Sequence, residues 1–442
     1  MRPLWIGAKE GRMASMTELE PVTYDVCIVG TGMSGMAAAL FAANRGLSAA
    51  LIGWGGEIIF ASGLLDLMAV HPVREMKTWR DPWAGISALI RDNPLHPYAY
   101  MKKTDVLAGF EELLGFLEKS GVPYQRHMQR NSEVPTTLGT TKFTYCVPQT
   151  MWHGVTAMVG KKPCLLVDIQ GLKGFSAHQI AATLNARWPA LRTTRIFFPD
   201  LSHFGEVYAE RLARALELES NRKRFAQAVR SNLDGEKFVG FPPILGISKS
   251  LEIYTDLENL IGIPIFEIPG SVPSVPGLRL KEAFEQFLPL RAVKLFSQKK
   301  VLNLSCDANN NFILEIGRSS VERAIRSKAV ILATGRFIGG GLQADRKQIR
   351  ETLLGLPVYQ PDSRNQWHRE DFFDPQGHPI NQAGLEIDEF FRPLDNNGRP
   401  AFQTLVAAGS ILAHQDWMRT KCGAGLAIAS AYAAVKSLLK LI

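Results

Sequence analysis

Residues 24–53 read YDVCIVGTGMSGMAAALFAANRGLSAALIG, and the fold is decided there. Tyr24 to Val29 is a short apolar run of β-branched character, Met36 to Arg45 has a helical composition, and Leu47 to Ile52 is a second apolar run. Strand, turn, helix and strand in about thirty residues make a βαβ unit. Between the first strand and the helix, Gly30-Thr31-Gly32-Met33-Ser34-Gly35 fits G-x-G-x-x-G in the setting that gives this motif its meaning. Gly30 permits the tight turn, Gly32 lets a phosphate approach the backbone, and Gly35 allows close packing of helix on strand. The N–H groups of the helix start, beginning at Met33, supply donors and a partial positive charge to that phosphate.

An adenosine ribose is normally held by an acidic residue at the end of the second strand, about twenty residues on. The window Ala49-Ala50-Leu51-Ile52-Gly53-Trp54 has no carboxylate, and Glu57 follows only after more loop. A cofactor with one phosphate and no adenosine explains the gap. That cofactor is FMN, with FAD as the alternative.

The 442 residues suggest two or three domains, at about 150 residues each. Hydrophobic residues make up 46% and charged residues 21%, with no long polar tract, which excludes a disordered or fibrous chain. The net charge of +8 suits anionic substrates, membrane surfaces or an acidic partner, whereas nucleic acid would need a denser basic stripe. Cys27, Cys146, Cys164, Cys306 and Cys422 stand far apart without a C-x-x-C pair, against structural zinc and iron–sulfur clusters. No metal is expected, and any redox cofactor is organic. Scattered thiols also suit a reducing compartment.

Beyond residue 160 the chain alternates again. Strand-like Leu165 to Ile169, helical Ser176 to Asn185, strand-like Arg195 to Phe198 and one long helical stretch around Val207 to Ser231 follow each other. Strands at Lys237 to Gly240 and Pro264 to Ile268 flank a helix over Lys249 to Ile261. Short strand-like runs lead from Lys300 to Ala329–Leu332, and Leu405 to Ala408 is one more. The expected fold is α/β, a doubly wound FAD/NAD(P)-binding-type flavoprotein domain formed by both chain ends. Its parts are residues 22–160 and 291–442, with an inserted α/β domain at 161–290 and a loose leader at 1–21. The mixed charges of the long helix read as a solvated face. The apolar tail from Gly423 to Ile442 is interrupted by Lys436 and Lys440, and its Gly and Ala content suits a helix buried against a sheet better than a membrane span.

Three segments favour a flavin. Ala333-Thr334-Gly335, after an apolar strand, resembles the A-T-G turn of two-dinucleotide-type flavoproteins. Phe402 to Ser410, with Gly409 and Ser410 at its end, and then Cys422-Gly423-Ala424-Gly425, resemble the closing segment of that group, where a helix start faces the flavin and stabilises its reduced anion. Ser410 stands where many members have Asp. Ser62-Gly63 lies where such proteins pass backbone along the flavin N5 edge.

Taken in order, FASGLLDL (60–67), GLKGFSAHQIAATL (171–184), PSVPGLRL (273–280), GGGLQADRKQIRETLLGL (339–356) and KCGAG (421–425) resemble the family of B subunits of anaerobic glycerol-3-phosphate dehydrogenase over about Tyr24 to Lys436. The departures are the leader and Ala424, where the family often has glycine. The resemblance implies an FMN-containing subunit paired with an FAD-bearing A subunit and a membrane-associated iron–sulfur C subunit. It implies oxidation of sn-glycerol 3-phosphate to dihydroxyacetone phosphate, electrons sent to quinone, and a cytoplasmic place on the inner face of the cell membrane.

Such chemistry needs a hydride acceptor, a base for the hydroxyl proton and cations for the phosphate. His414, four residues after Ser410, and His178 are the candidate bases. Arg279, Arg346 and Arg350 are the candidate phosphate contacts, since a guanidinium can clamp phosphate bidentately. Arg350 can instead pair with Glu351 or Asp345 to fix a loop. Cys422, beside a helix start, has either a depressed thiol pKa or a plain packing role. Two rival readings are a stand-alone FAD oxidoreductase of another small substrate and a non-catalytic scaffold or electron relay.

Overall fold

The computed structural model describes residues 22–55, 57–199 and 205–442, so the expected leader lies outside the described residues. Along the chain run β1 (Thr23–Val29), α1 (Met33–Ala43), β2 (Ala49–Gly53), α2 (Lys103–Lys119) and α3 (Gln149–Val159). Then follow β3 (Cys164–Ile169), α4 (Ala177–Leu184), β4 (Leu191–Ile196), α5 (Glu219–Arg230), β5 (Phe238–Phe241), α6 (Ser250–Ile261), β6 (Ile265–Glu267) and α7 (Val275–Phe287). The last part comprises β7 (Val293–Ser297), β8 (Lys300–Cys306), β9 (Phe312–Gly317), β10 (Val321–Leu332), β11 (Leu405–Ala407) and α8 (Gly423–Leu441).

The larger sheet has the order β7-β2-β1-β10-β9-β8, with β11 also beside β10. Its middle is parallel: β1 pairs with β2 and β10, β2 with β7, and β10 with β11. Strands buried on both faces need continuous apolar runs, and Val26–Ile28, Ala49–Ile52 and Ala329–Leu332 are such runs, all between 0% and 1% exposed. On one edge β8, β9 and β10 form an antiparallel meander. The alanines of α1 let α8 approach closely, and Phe41 meets Tyr432 edge-on with ring centroids 5.3 Å apart. α8 is the described helix long and apolar enough to cross a membrane, yet Leu426, Ile428, Ala431, Val435 and Leu438 are buried in the protein core. It is a core helix, with Lys436 bonded to Asp105 of α2.

The smaller sheet, β6-β5-β3-β4, is parallel throughout and has its own apolar clusters. Chain crossings between the two cores differ from the expected 161 and 290. α3 already packs on the smaller sheet through Ala157 and Met158, and α7 already returns Leu280, Ala283 and Phe284 to the larger core.

The helix expected over Val207 to Ser231 is two helices, Ala209–Ala215 and α5. Side chains take the carbonyls that a continuous helix would have used: Asn221 donates to Ala215 O at 2.9 Å, and Arg222 donates to Leu216 O at 3.2 Å and Glu217 O at 3.0 Å. Arg222 is accordingly buried and paired with Asp256 rather than solvated.

Candidate functional site

Three turns meet at the carboxyl ends of the parallel strands. Gly30 donates to Ile52 O at 2.7 Å, Ala333 to Val29 O at 2.9 Å and Ala408 to Leu332 O at 3.0 Å, so residues 30–35, 333–335 and 408–410 converge. Gly30 has φ +117°, and a Cβ there would lie 2.1 Å from the Ala333 carbonyl oxygen. Glycine is required on both counts. Gly409 donates to Ser430 Oγ of α8 at 2.8 Å and touches Ser34.

The start of α1 is open to a ligand. Its N-cap is Gly32, which offers no side-chain acceptor, so the first-turn N–H groups from Met33 onward lack a capping partner. Beside them Ser34 Oγ and Thr334 Oγ1 are buried and have no hydrogen-bond partner. A buried hydroxyl left unpaired costs about 1–3 kcal/mol. Unmet hydroxyls next to an uncapped helix start fit the phosphate and polyol chain of a flavin. At the end of β2, Trp54 is exposed and lies under Lys300, whose Nζ is 5.1 Å from the ring centroid.

A second wall faces the start of α8. Tyr124 donates to Gly63 O at 2.7 Å, and Gly425 donates to Asp66 O at 2.6 Å. A Cβ at Gly425 would lie 2.6 Å from the Tyr98 hydroxyl and 2.7 Å from Asp66 O, so the Ser62–Leu67 segment seats directly on the helix. Gly423 opens α8, and its N-cap Cys422 makes no side-chain cap. Of the two roles open to Cys422, the surroundings favour packing: the residue is 0% exposed, and burial pushes the thiol up to about 12. Loss of water outweighs the helix dipole there, leaving the packing role.

The expected cations separate. Arg279 is 2% exposed and binds Glu267 through Nη1 at 2.6 Å and Nη2 at 2.8 Å, while Nε donates to Gly246 O at 2.8 Å. Its donors are spent inside the protein, which removes it as a phosphate contact. Arg350 takes the loop-fixing alternative, with Nη2 2.8 Å from Asp345 Oδ2. Arg346 is exposed in a pocket also lined by Phe337, Arg364, Trp367 and His368.

The histidines separate too. His178 is exposed on α4, against the smaller sheet and away from the three turns. His414 is 9% exposed at φ +60°; its Nε2 lies 2.8 Å from Glu386 Oε1, and its ring centroid lies 4.0 Å from that of Tyr359. A carboxylate on one imidazole nitrogen fixes tautomer and orientation, the arrangement a general base needs.

Two features escaped the sequence reading. Arg336, next to Gly335, donates to Ser410 O at 2.8 Å, to Gln415 O at 2.7 Å and to Asn381 O, tying the A-T-G turn to the closing segment. Burial lowers its guanidinium pKa to about 10. Asp66, 9% exposed, binds Lys142 Nζ through Oδ2 at 2.7 Å, while its Oδ1 has no partner. Only Asp66 falls in a segment the sequence singled out; nothing in residue spacing joins it to Lys142. Among the described residues no three His, Cys, Asp or Glu side chains gather as a metal-ligand set.

Comparison with known proteins gives the family. Curated relatives named as the B subunit of anaerobic glycerol-3-phosphate dehydrogenase include one from Pectobacterium carotovorum subsp. carotovorum, 29% identical over 94% of this chain and 99% of that protein. One from Vibrio vulnificus is 27% identical over 94% and 96%. A protein from Halobacterium salinarum with the same name prefixed "probable" is 28% identical over 93% and 96%. The family model described as FAD binding domain matches residues 25–426, from the first strand to the start of the closing helix. The chain therefore belongs to the FAD binding domain family and is a flavoprotein.

Proposed function

We propose that this chain is the flavin-bearing B subunit of an anaerobic glycerol-3-phosphate dehydrogenase complex, an oxidoreductase that converts sn-glycerol 3-phosphate to dihydroxyacetone phosphate. The observation that carries the reading is the convergence of the three turns around buried, unpartnered Ser34 and Thr334, in a chain aligned nearly end to end with relatives of that name. The start of α1 with Ser34 would hold the cofactor phosphate, Thr334 and Ser410 its polyol chain, and the Ser62-Gly63 backbone with the start of α8 its ring system. When bound, the flavin supplies the hydride acceptor. His414, oriented by Glu386, takes the hydroxyl proton, and Arg336 holds the backbone that presents it. FMN is favoured over FAD because β2 ends in Gly53 and Trp54 with no carboxylate for an adenosine ribose. Electrons then pass through an FAD-bearing A subunit and an iron–sulfur C subunit to quinone at the inner face of the membrane.

The test is to purify the full chain, release and identify its flavin, and add sn-glycerol 3-phosphate without oxygen. Released FMN and a bleached visible spectrum are expected. Released FAD overturns the FMN assignment alone. A coloured chain that its substrate fails to bleach, in a complex no faster than the isolated A subunit, makes this chain a relay. A folded chain that stays colourless with both flavins ends the proposal.

A further inference from the structure

With Arg279 and Arg350 engaged elsewhere, two lysines stand beside the Asp66 segment and the start of α8. Lys142 lies on the short strand Thr141–Thr144, is a quarter exposed, and binds Asp66 through one carboxylate oxygen only. Lys421 is held at φ +52°, immediately before Cys422 and the start of α8, and among the described residues its ammonium makes no hydrogen bond or ion pair. It is half-buried. The flanking backbone holds it beside the Asp66 segment: Ala69 and Val70 donate to Thr420 O at 3.2 and 3.0 Å, and Gly425 donates to Asp66 O at 2.6 Å. Burial lowers its pKa, as do the charges of Lys142 and Arg419, while Asp66 and Asp416 pull it the other way.

Behind them the wall is short of hydrogen-bond partners. Asp66 Oδ1 is buried and receives no donor. Thr144, two residues beyond Lys142 on the same strand face, and its cross-strand partner Ser132 are buried, with unpartnered hydroxyls. Lys142, Lys421 and Arg419 against Asp66 and Asp416 leave a net positive site, and the start of α8, to which Cys422 gives no side-chain cap, adds to it. A half-buried ammonium without a protein partner has lost part of its hydration, which an anion would replace.

Resting on the function proposed above, we infer that Lys142, Lys421 and Asp66 form the subsite for a small phosphorylated polyol. The two ammonium groups take the phosphate, and the free Asp66 Oδ1 accepts a hydroxyl. The approach runs past Lys142, which is the more exposed of the Lys142–Asp66 pair.

The test is calorimetric titration of the full-length chain with inorganic phosphate, sn-glycerol 3-phosphate and glycerol, alongside flavin content and a melting curve. Lys421→Met and Lys142→Met should each weaken both phosphate probes about tenfold or more, the usual loss for a hydrogen bond to a charged group. Flavin content should be unchanged, and Lys421→Arg should restore binding. Lys436→Met, at the far end of α8, should change nothing. Asp66→Asn should tighten bare phosphate yet reduce the extra affinity of sn-glycerol 3-phosphate over phosphate. Phosphate affinity that survives Lys421→Met in a folded chain overturns the inference. So does flavin loss from that variant with phosphate binding intact, which assigns the lysine to the cofactor. A chain without flavin in which Lys421→Met still abolishes phosphate binding leaves the subsite standing and sinks the flavoprotein oxidoreductase reading alone.

Discussion

Around the smaller sheet, the buried charges are matched. Arg279 holds Glu267, Arg222 holds Asp256, and Arg195 and Arg192 cover the buried carboxylates of Asp168 and Glu236. Outside residues 161–290, Ser34, Asp66, His96, Asn131, Ser132, Thr144, Arg326 and Thr334 each keep a buried polar atom without a hydrogen-bond partner, and among the described residues no such atom falls within 161–290. Burying a polar group without a partner is unfavourable, so a folded chain tolerates it where something else will complete the bond. One region is finished as built and supports the fold; in the other, the flavin proposed above would complete the open hydroxyls of Ser34 and Thr334.

The largest expected effect breaks the matched side. Arg279→Met leaves Glu267 buried and unpaired, and should lower unfolding free energy by about 3–5 kcal/mol in urea titration. The double variant Arg279→Met/Glu267→Met should recover most of that loss, because no charge is then stranded. On the open side, Gly30→Ala forces a Cβ against the Ala333 carbonyl at a positive φ, costing about 2–4 kcal/mol from the two penalties together. Flavin stoichiometry should fall with it.

His96 gives a pH-dependent contrast. Burial, with the nearby charges of His71 and His414, lowers its pKa to about 3. The unfolded imidazole titrates near about 6.5, so below that pH the unfolded chain binds a proton that the folded chain refuses. Its stability is fully present above about pH 6.5 and is lost at about 1.4 kcal/mol per unit as pH falls toward the folded value. Urea midpoints measured from pH 7 to 5 should show the decline, and His96→Gln should flatten it. The smallest effect is the sharpest in sign. Ser34→Ala and Thr334→Val remove unpaired hydroxyls, so each should leave the flavin-free chain unchanged or slightly stabilised, yet weaken flavin binding by about 1 kcal/mol, the net worth of one hydrogen bond.

The βαβ unit, the paired turns and the buried closing helix were legible in the sequence because their signals are local. A glycine pattern, an apolar run or a small-residue helix is complete within a few turns of chain. The break between Ala215 and Glu219 was not legible, because it depends on Asn221 and Arg222 turning back to carbonyls that pattern alone assigns to the helix.

Charge partners were the least legible. Every Arg in the sequence looks equally able to hold a phosphate, and only the packing of α7 against β6 shows Arg279 spent on Glu267. Likewise Lys142, Asp66 and Lys421 lie in three distant segments that nothing in residue spacing connects. Sequence by itself determined the fold class and where the glycine turn between β1 and α1 stands, since backbone conformation and apolar periodicity act between neighbours. Which ionisable groups are paired and which are left unpaired was decided by tertiary structure alone, because desolvation and ion pairing depend on what the fold brings into contact.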